Sequence, residues 1–329
     1  MATMHKNAIH GWLNIDKPYG MSSAQAVGKV KKLLHPTKIG HAGTLDPLAT
    51  GVLPLALGEA TKTVNYAMNT TKIYQFTLAF GEQTNTDDAE GEVIATSDIL
   101  PSEKAIKTTI STFIGDIEQT PPAFSAIKID GKRAYERARA GEDVKMKSRI
   151  ITIEHLELLT MEDECHATFE VICSKGTYIR SLARDIAVSL GTVGHVSMLR
   201  RTGVGKALEK NIILLEKLEE IMHNAPPSGE VSSYLLKNNV ISPPDIVLDD
   251  IPAVRINEDM GARLRNGQAL LATEAGEVTH TLAMLRTLPL KNIGEGRNVR
   301  LIKAMSGVQL VALLELKGRR LSPVRVFNY

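Results

Sequence analysis

The chain has 329 residues, of which 43% are hydrophobic and 23% charged, with a formal net charge of +2. That length supports two domains with sizeable cores, and that balance describes a soluble globular protein and excludes a disordered or fibrous chain. No apolar run is long enough to span a membrane, and the opening MATMHKNAIHG lacks a continuous apolar region, so no secretory signal and a cytoplasmic location are expected.

In chain order, residues 11–20 (GWLNIDKPYG) read as a short strand and a Pro/Gly turn. Ser22 or Ser23 can cap the following helix, whose apolar stripe is Ala26, Val27, Val30, Leu33 and Leu34. Lys29, Lys31 and Lys32 lie off the stripe as surface charges within reach of phosphates. Residues 40–62 (GHAGTLDPLATGVLPLALGEATK) hold one carboxylate in their first half, Asp46. It precedes Pro47, and a residue before proline is pushed toward extended backbone, so the loop is stiff there. The apolar run after Gly51 predicts a buried strand that anchors it. On these residues alone Asp46 reads equally well as an ordinary turn acid.

Residues 71–80 alternate, with Tyr74, Phe76, Leu78 and Phe80 on one face, and Tyr74 alone would be the first aromatic of a core strand. Residues 81–103 carry seven acids and no Lys or Arg. The periodicity predicts a helix over 102–114 with Ile106, Ile110, Phe113 and Ile114 inward. Residues 119–149 then carry eight basic against four acidic side chains, a concentration that suits a polyanion. Within them come a double proline, a short strand closed by Asp130-Gly131, and a helix bearing Lys132, Arg133, Arg137 and Arg139. Cys165 and Cys173 sit in an alternating run, about 26 Å apart along a strand, too far for a disulfide, and both are expected on its buried face. SKGTYIRSLARDIAVSLG predicts a helix with Ile179, Leu182, Ala183, Ile186 and Leu190 inward and Gly191 as its stop. Tyr178 and Arg180 fall at its first turn, where a guanidinium and a helix N-terminus attract anions, although Arg180 could simply pair with Asp185. Residues 225–244 carry four prolines and read as a linker around a short helix, and the chain from 249 onward reads as a small β-rich module. No metal-ligand spacing occurs among the nine scattered histidines and two cysteines, so no metal is expected.

HAGTLDPLATGVLP resembles the active-site motif of the TruB family of RNA pseudouridine synthases. DKPYG, TNTDD, the basic insertion, GTYIRSL and VGHVSMLRRTGVG resemble further family segments in family order, covering most of residues 11–205. ARLRNGQ and PVRVFN resemble, more weakly, its PUA-like C-terminal domain, while residues 272–301 resemble nothing in the family.

The resemblance implies an α+β pseudouridine synthase fold, a mixed and mostly antiparallel sheet flanked by helices, with a PUA-like second domain. It implies a catalytic domain over 1–240, with an insertion over about 119–149 that folds onto RNA, and a C-terminal domain over 249–329. Asp46 would be the catalytic carboxylate, with Arg180 as its partner and Asp88 paired to that arginine; a neighbouring guanidinium favours the ionised acid. Tyr74 would stack on the target uracil and relay its proton, Leu199 would line the uracil pocket, and Tyr178 would contact substrate. His41 would enter the RNA beside the flipped nucleotide, although as a lone histidine it could be a loop residue. Lys17 and Pro18 would brace the loop. Lys132, Arg133, Arg137, Arg200 and Arg201 would meet phosphates. The implied reaction converts uridine 55 in the tRNA T-arm to pseudouridine, without metal or organic cofactor, in a monomer. A guide-RNA-dependent enzyme of the dyskerin type, a tRNA-folding chaperone and a nucleosidase acting on free uridine are the alternatives.

Overall fold

The computed structural model describes residues 6–129, 131–142, 144–227, 229–274, 287, 289–293 and 297–329. Alternation makes Lys72–Phe80 a strand, and Tyr74, Phe76, Leu78 and Phe80 join the main core, with Phe76 stacked on Phe169 at 5.2 Å between ring centroids. This strand lies inside a ten-stranded sheet. The main path runs Ile213–Leu214, Gly11–Lys17, Thr50–Leu57, Gly194–Val204, Lys72–Phe80, His166–Cys173, Arg149–Met161, Gly115–Gln119; Ile39–His41 and Ala207–Leu208 pair beside it. Neighbours are antiparallel except at two joints, one of which sets Gly194–Val204 parallel to Thr50–Leu57. The mixed, mostly antiparallel sheet is the expected one.

That parallel joint decides where chemistry can occur. It places Arg201 opposite Gly51, while the other edge of the same strand places Arg201 opposite Tyr74. The loop carrying Asp46 therefore ends beside Tyr74, 28 positions later in the chain. Gly51 has φ +98°, and a Cβ there would sit 2.2 Å from the Arg201 carbonyl oxygen, so only glycine allows this approach.

Helices Ser23–Leu34, Glu103–Ile110, Ile179–Ser189 and Leu215–His223 send apolar stripes into the same core. Ser22 caps the first in a reciprocal box with Gln25. The helix expected to reach residue 114 ends at Ile110, followed by a short turn, and Ile114 is exposed because the edge strand starts at Gly115. Both cysteines are free; Cys173 is buried, but Cys165 precedes its strand and is only half-buried.

The proline-rich stretch over 225–244 is no free linker. Its helix Val231–Lys237 buries Val231 and Leu235 in the main core, Ile241 joins them, and Ser242 exchanges two backbone hydrogen bonds with Trp12. Its apolar side chains outweigh the prolines that suggested flexibility. Beyond it, Ala253–Arg255, Leu301–Ser306, Gln309–Lys317, Arg320–Val326 and Leu270–Leu271 form a five-stranded sheet with its own core. Lys62 donates to the Val326 carbonyl at 2.6 Å, and the Asn328 N–H donates to the Glu59 carboxylate at 2.8 Å, fastening the C-terminal end to the turn Gly58–Thr63 that follows Thr50–Leu57. Asp130 and most of the segment over 272–301 lie outside the described residues.

Candidate active site

The Asp46 loop is held by three buried side chains that donate to its carbonyls. Lys17, wholly buried, donates to the carbonyls of Pro18 at 3.0 Å, Met21 at 2.5 Å and Pro47 at 3.3 Å. The Ser23 hydroxyl donates to the Leu45 carbonyl at 2.9 Å and accepts from the Leu45 N–H at 2.8 Å. Arg201, 1% exposed, donates to the carbonyls of Val52 at 2.8 Å and Gly43 at 3.1 Å. Backbone so tightly satisfied leaves one short segment, and its acid, with a fixed direction.

Burial pushes the Lys17 ammonium down to about 8, against the pull of the Asp46 carboxylate. Between that value and the ordinary 10.5 the unfolded chain holds a proton that the folded chain has lost, so this group makes stability rise with pH across the window. The unfolding free energy of the native protein, minus that of Lys17→Met, is therefore expected to grow by about 2–3 kcal/mol from neutral pH to pH 10.5. Urea unfolding at a series of pH values checks this, and a pH-independent difference would refute it.

Arg180 meets Asp46 at 2.8 Å and Asp88 at 3.4 Å. The same two terminal nitrogens also donate to the carbonyls of Thr86 and Phe124, each at 2.9 Å. The guanidinium is almost fully buried and the Asp46 side chain 38% exposed, so the pair has a fixed inner member and an accessible outer one. The possible partner Asp185 belongs instead to Arg184, at 2.9 Å. Asp88 is itself held by the Thr86 hydroxyl at 2.6 Å.

Two clefts meet at this pair. The first, about 820 Å³, is lined by His41, Asp46, Asp88, Arg133, Arg139 and Arg180. The second, about 650 Å³, is lined by Asp46, Lys72, Tyr74, Tyr178, Leu199 and Arg201. Burial holds the His41 imidazole below its ordinary pKa, so it is neutral at physiological pH. Burial raises the Tyr74 phenol, with the charge of the neighbouring Arg201 guanidinium opposing the shift, and the phenol stays protonated. Tyr178 lies under the Arg149 guanidinium, 5.0 Å from its ring centroid.

The structure brings Asp46, Arg180, Asp88, Tyr74, Leu199, Tyr178 and His41 together, and sets Lys17 and the turn at Pro18 beneath the loop. It separates two residues from the phosphate role expected of them. Arg201, 1% exposed at the wall of the second cleft, is spent on loop carbonyls, and Arg200 is paired with Asp16 at 2.8 Å and Glu209 at 2.6 Å. On the insertion, Lys132 and Arg133 are exposed, whereas Arg137 pairs with Glu142 at 2.6 Å and Arg139 lines the first cleft.

Sequence reasoning passed over Lys72, Ser23 as a loop staple, and Gln119. Lys72 shares the inward face of its strand with Tyr74 and is 6% exposed, donating to the carbonyls of Met68 at 2.6 Å and Thr70; burial lowers it to about 8. A lysine in phase with a buried aromatic was a legible signal. The other two depend on contacts between distant segments.

The chain matches the family model described as TruB family pseudouridylate synthase, N-terminal domain, over residues 31–179, and that of the tRNA pseudouridylate synthase B C-terminal domain over 180–249. The second match includes Gly194–Val204, a strand inside the ten-stranded sheet, so both models describe one sheet. The chain is 44% identical to the tRNA pseudouridine synthase B of Caulobacter sp. (strain K31), over 98% of this chain and 97% of that protein. It is 42% identical to the protein of that name from Anaplasma phagocytophilum (strain HZ), over 97% and 99%. Among solved structures, a chain of a Cbf5-Nop10-Gar1 complex superposes with a TM-score of 0.69 at 26% identity, covering 97% of this chain and 85% of that one.

Proposed function

The chain belongs to the TruB family of pseudouridine synthases and forms pseudouridine in tRNA; from that premise we propose that it acts on uridine 55 of the T-loop and that Asp46 is the reacting group. The observation that supports this most is the 2.8 Å Asp46–Arg180 pair standing where the two clefts meet. Isomerisation breaks the N1–C1′ bond and joins C5 to C1′; C5 loses a proton and N1 gains one, so no external oxidant or reductant is consumed. A carboxylate suits the ribose end, either adding to C1′ or removing the C2′ proton, and is regenerated in both routes. A deuterium isotope effect at C2′ separates them. Arg180 holds the carboxylate at the cleft wall and neutralises its charge in the resting site.

The base must leave its stack first, at about a few kcal/mol. The second cleft receives it: Tyr74 offers a neutral ring for stacking and Leu199 an apolar wall. His41, on the first cleft, fills the vacated position as a neutral imidazole. The rest of the T-arm lies along the first cleft beneath the insertion. Replacing Lys132 and Arg133 together with Ala is expected to weaken tRNA binding and lower the salt slope by about two, one for each lost phosphate contact. Titrations at several ionic strengths measure it, and an unaltered slope would remove both residues from the interface.

The reading is of a monomer that works in the cytoplasm with tRNA. The catalytic unit runs to about residue 240, with a PUA-like domain from about 249. Incubating the protein alone with unmodified tRNA, then mapping pseudouridine, tests the reading. A product only in the presence of a guide RNA complex would transfer it to the dyskerin type.

A further inference from the structure

Gln119 ends the edge strand Gly115–Gln119, with only Thr120 between it and the double proline of the basic insertion, and is 1% exposed. Its side-chain amide bridges the backbone of Tyr178: Nε2 donates to the Tyr178 carbonyl at 3.1 Å, and Oε1 accepts the Tyr178 N–H at 2.8 Å. Tyr178 is the N-cap of the helix that bears Arg180, and it makes no side-chain cap of its own. Gln119 thus fixes from outside a helix start that the helix leaves unsecured.

The next residues extend the attachment. The Thr120 carbonyl accepts from the Ser181 hydroxyl at 2.8 Å and from Arg184 at 3.2 Å, and the Phe124 carbonyl accepts from Arg180 at 2.9 Å. The same guanidinium therefore holds the insertion's root and the Asp46 carboxylate. One residue on, Ser125 lines the first cleft, 3% exposed, and its hydroxyl has no hydrogen-bond partner among the described residues. A buried hydroxyl without a partner is destabilising, because its lost hydration is not replaced. A ligand in that cleft that supplies an acceptor would recover it.

We propose that Gln119 is a positioning residue that ties the seating of RNA against the insertion's root to the placement of Arg180 against Asp46. Resting on the tRNA-modifying reading above, the proposal makes the root of the insertion a strap with two faces. One face, at Ser125, meets a sugar or phosphate oxygen of the bound RNA. The other, at Gln119, Thr120 and Phe124, sets the guanidinium. An RNA that fits the cleft locks the ion pair, and one that leaves the root displaced does not.

The test uses the full-length protein and tRNA with tritium at C5 of uridine, enzyme in excess, following tritium release in a single turnover. Native protein must first release tritium from tRNA, and that result alone scores the functional reading. Gln119→Ala is then expected to slow the single-turnover step about 10- to 100-fold, the order of loss for a misplaced catalytic group, with tRNA affinity and salt slope unchanged. In an Arg180→Lys background the same substitution should add no further loss, because the residue acts through the guanidinium. Gln119→Glu keeps the acceptor for the Tyr178 N–H and loses the donor, so it should fall between native and Ala; it also serves if the Ala variant does not fold. An unchanged rate, a loss confined to affinity, or losses that multiply with those of Arg180→Lys would overturn the proposal.

Discussion

Asp46→Asn is expected to lower pseudouridine formation by more than about ten-thousandfold, the scale seen when an essential nucleophile is removed, while tRNA binding persists. The substitution keeps the shape of the side chain and removes the charge. The fold should tolerate it, since Arg180 retains Asp88 and the carbonyls of Thr86 and Phe124, and Asp46 is the exposed member of the pair. Thermal unfolding near the native temperature, unaltered binding and no product under single-turnover conditions is the combined result expected. Tracking tRNA refolding with the same variant separates catalysis from chaperoning: refolding without modification means that the clefts open RNA independently of the carboxylate. Product at a native rate would remove Asp46 from the chemistry.

The second large effect concerns a residue that is 1% exposed and directs its donors to the loop behind the cleft wall. Arg201→Met is expected to destabilise the protein by about 2–5 kcal/mol, because buried carbonyls at Gly43 and Val52 lose their donor and each unsatisfied buried group costs about 1–3 kcal/mol. Activity should fall as well, since the same side chain anchors the Asp46 loop and lies beside Tyr74 on the second cleft. A midpoint shift in denaturant unfolding, together with a reduced turnover rate and native tRNA affinity, is the expected signature. A stable variant with weakened, less salt-dependent RNA binding would restore Arg201 to the phosphate contacts that the family resemblance implied for it.

These two arginines show where reading the chain stops. Neighbouring positions on an alternating strand face opposite sides, so one of Arg200 and Arg201 had to point inward. Which one, and toward what, depended on the parallel joint to Thr50–Leu57 and on Gly51 admitting the Arg201 carbonyl. Arg200, on the other side, found Asp16 from the first strand and Glu209 from beyond its own. The proline-rich stretch before the C-terminal sheet failed for a related reason. Its prolines were countable, but the hydrophobic seat for Val231, Leu235 and Ile241 existed only once Trp12 and its strand were in place.

By itself the sequence determined the local elements: period-two alternation made Lys72–Phe80 a strand, Ser22 and Gln25 started a helix, and Pro47 stiffened the residue before it. Its family-like strings also singled out Asp46, Tyr74 and Arg180. The string DKPYG pointed to Lys17 as a brace, but only the tertiary structure decided that Ser23 and the far-off Arg201 share with it the task of holding the Asp46 loop. It alone decided that the root of the insertion shares a guanidinium with the carboxylate. The physical reason is that backbone carbonyls in a loop carry no sequence signature. Which side chain satisfies them is settled by whatever the sheet order brings within hydrogen-bond reach.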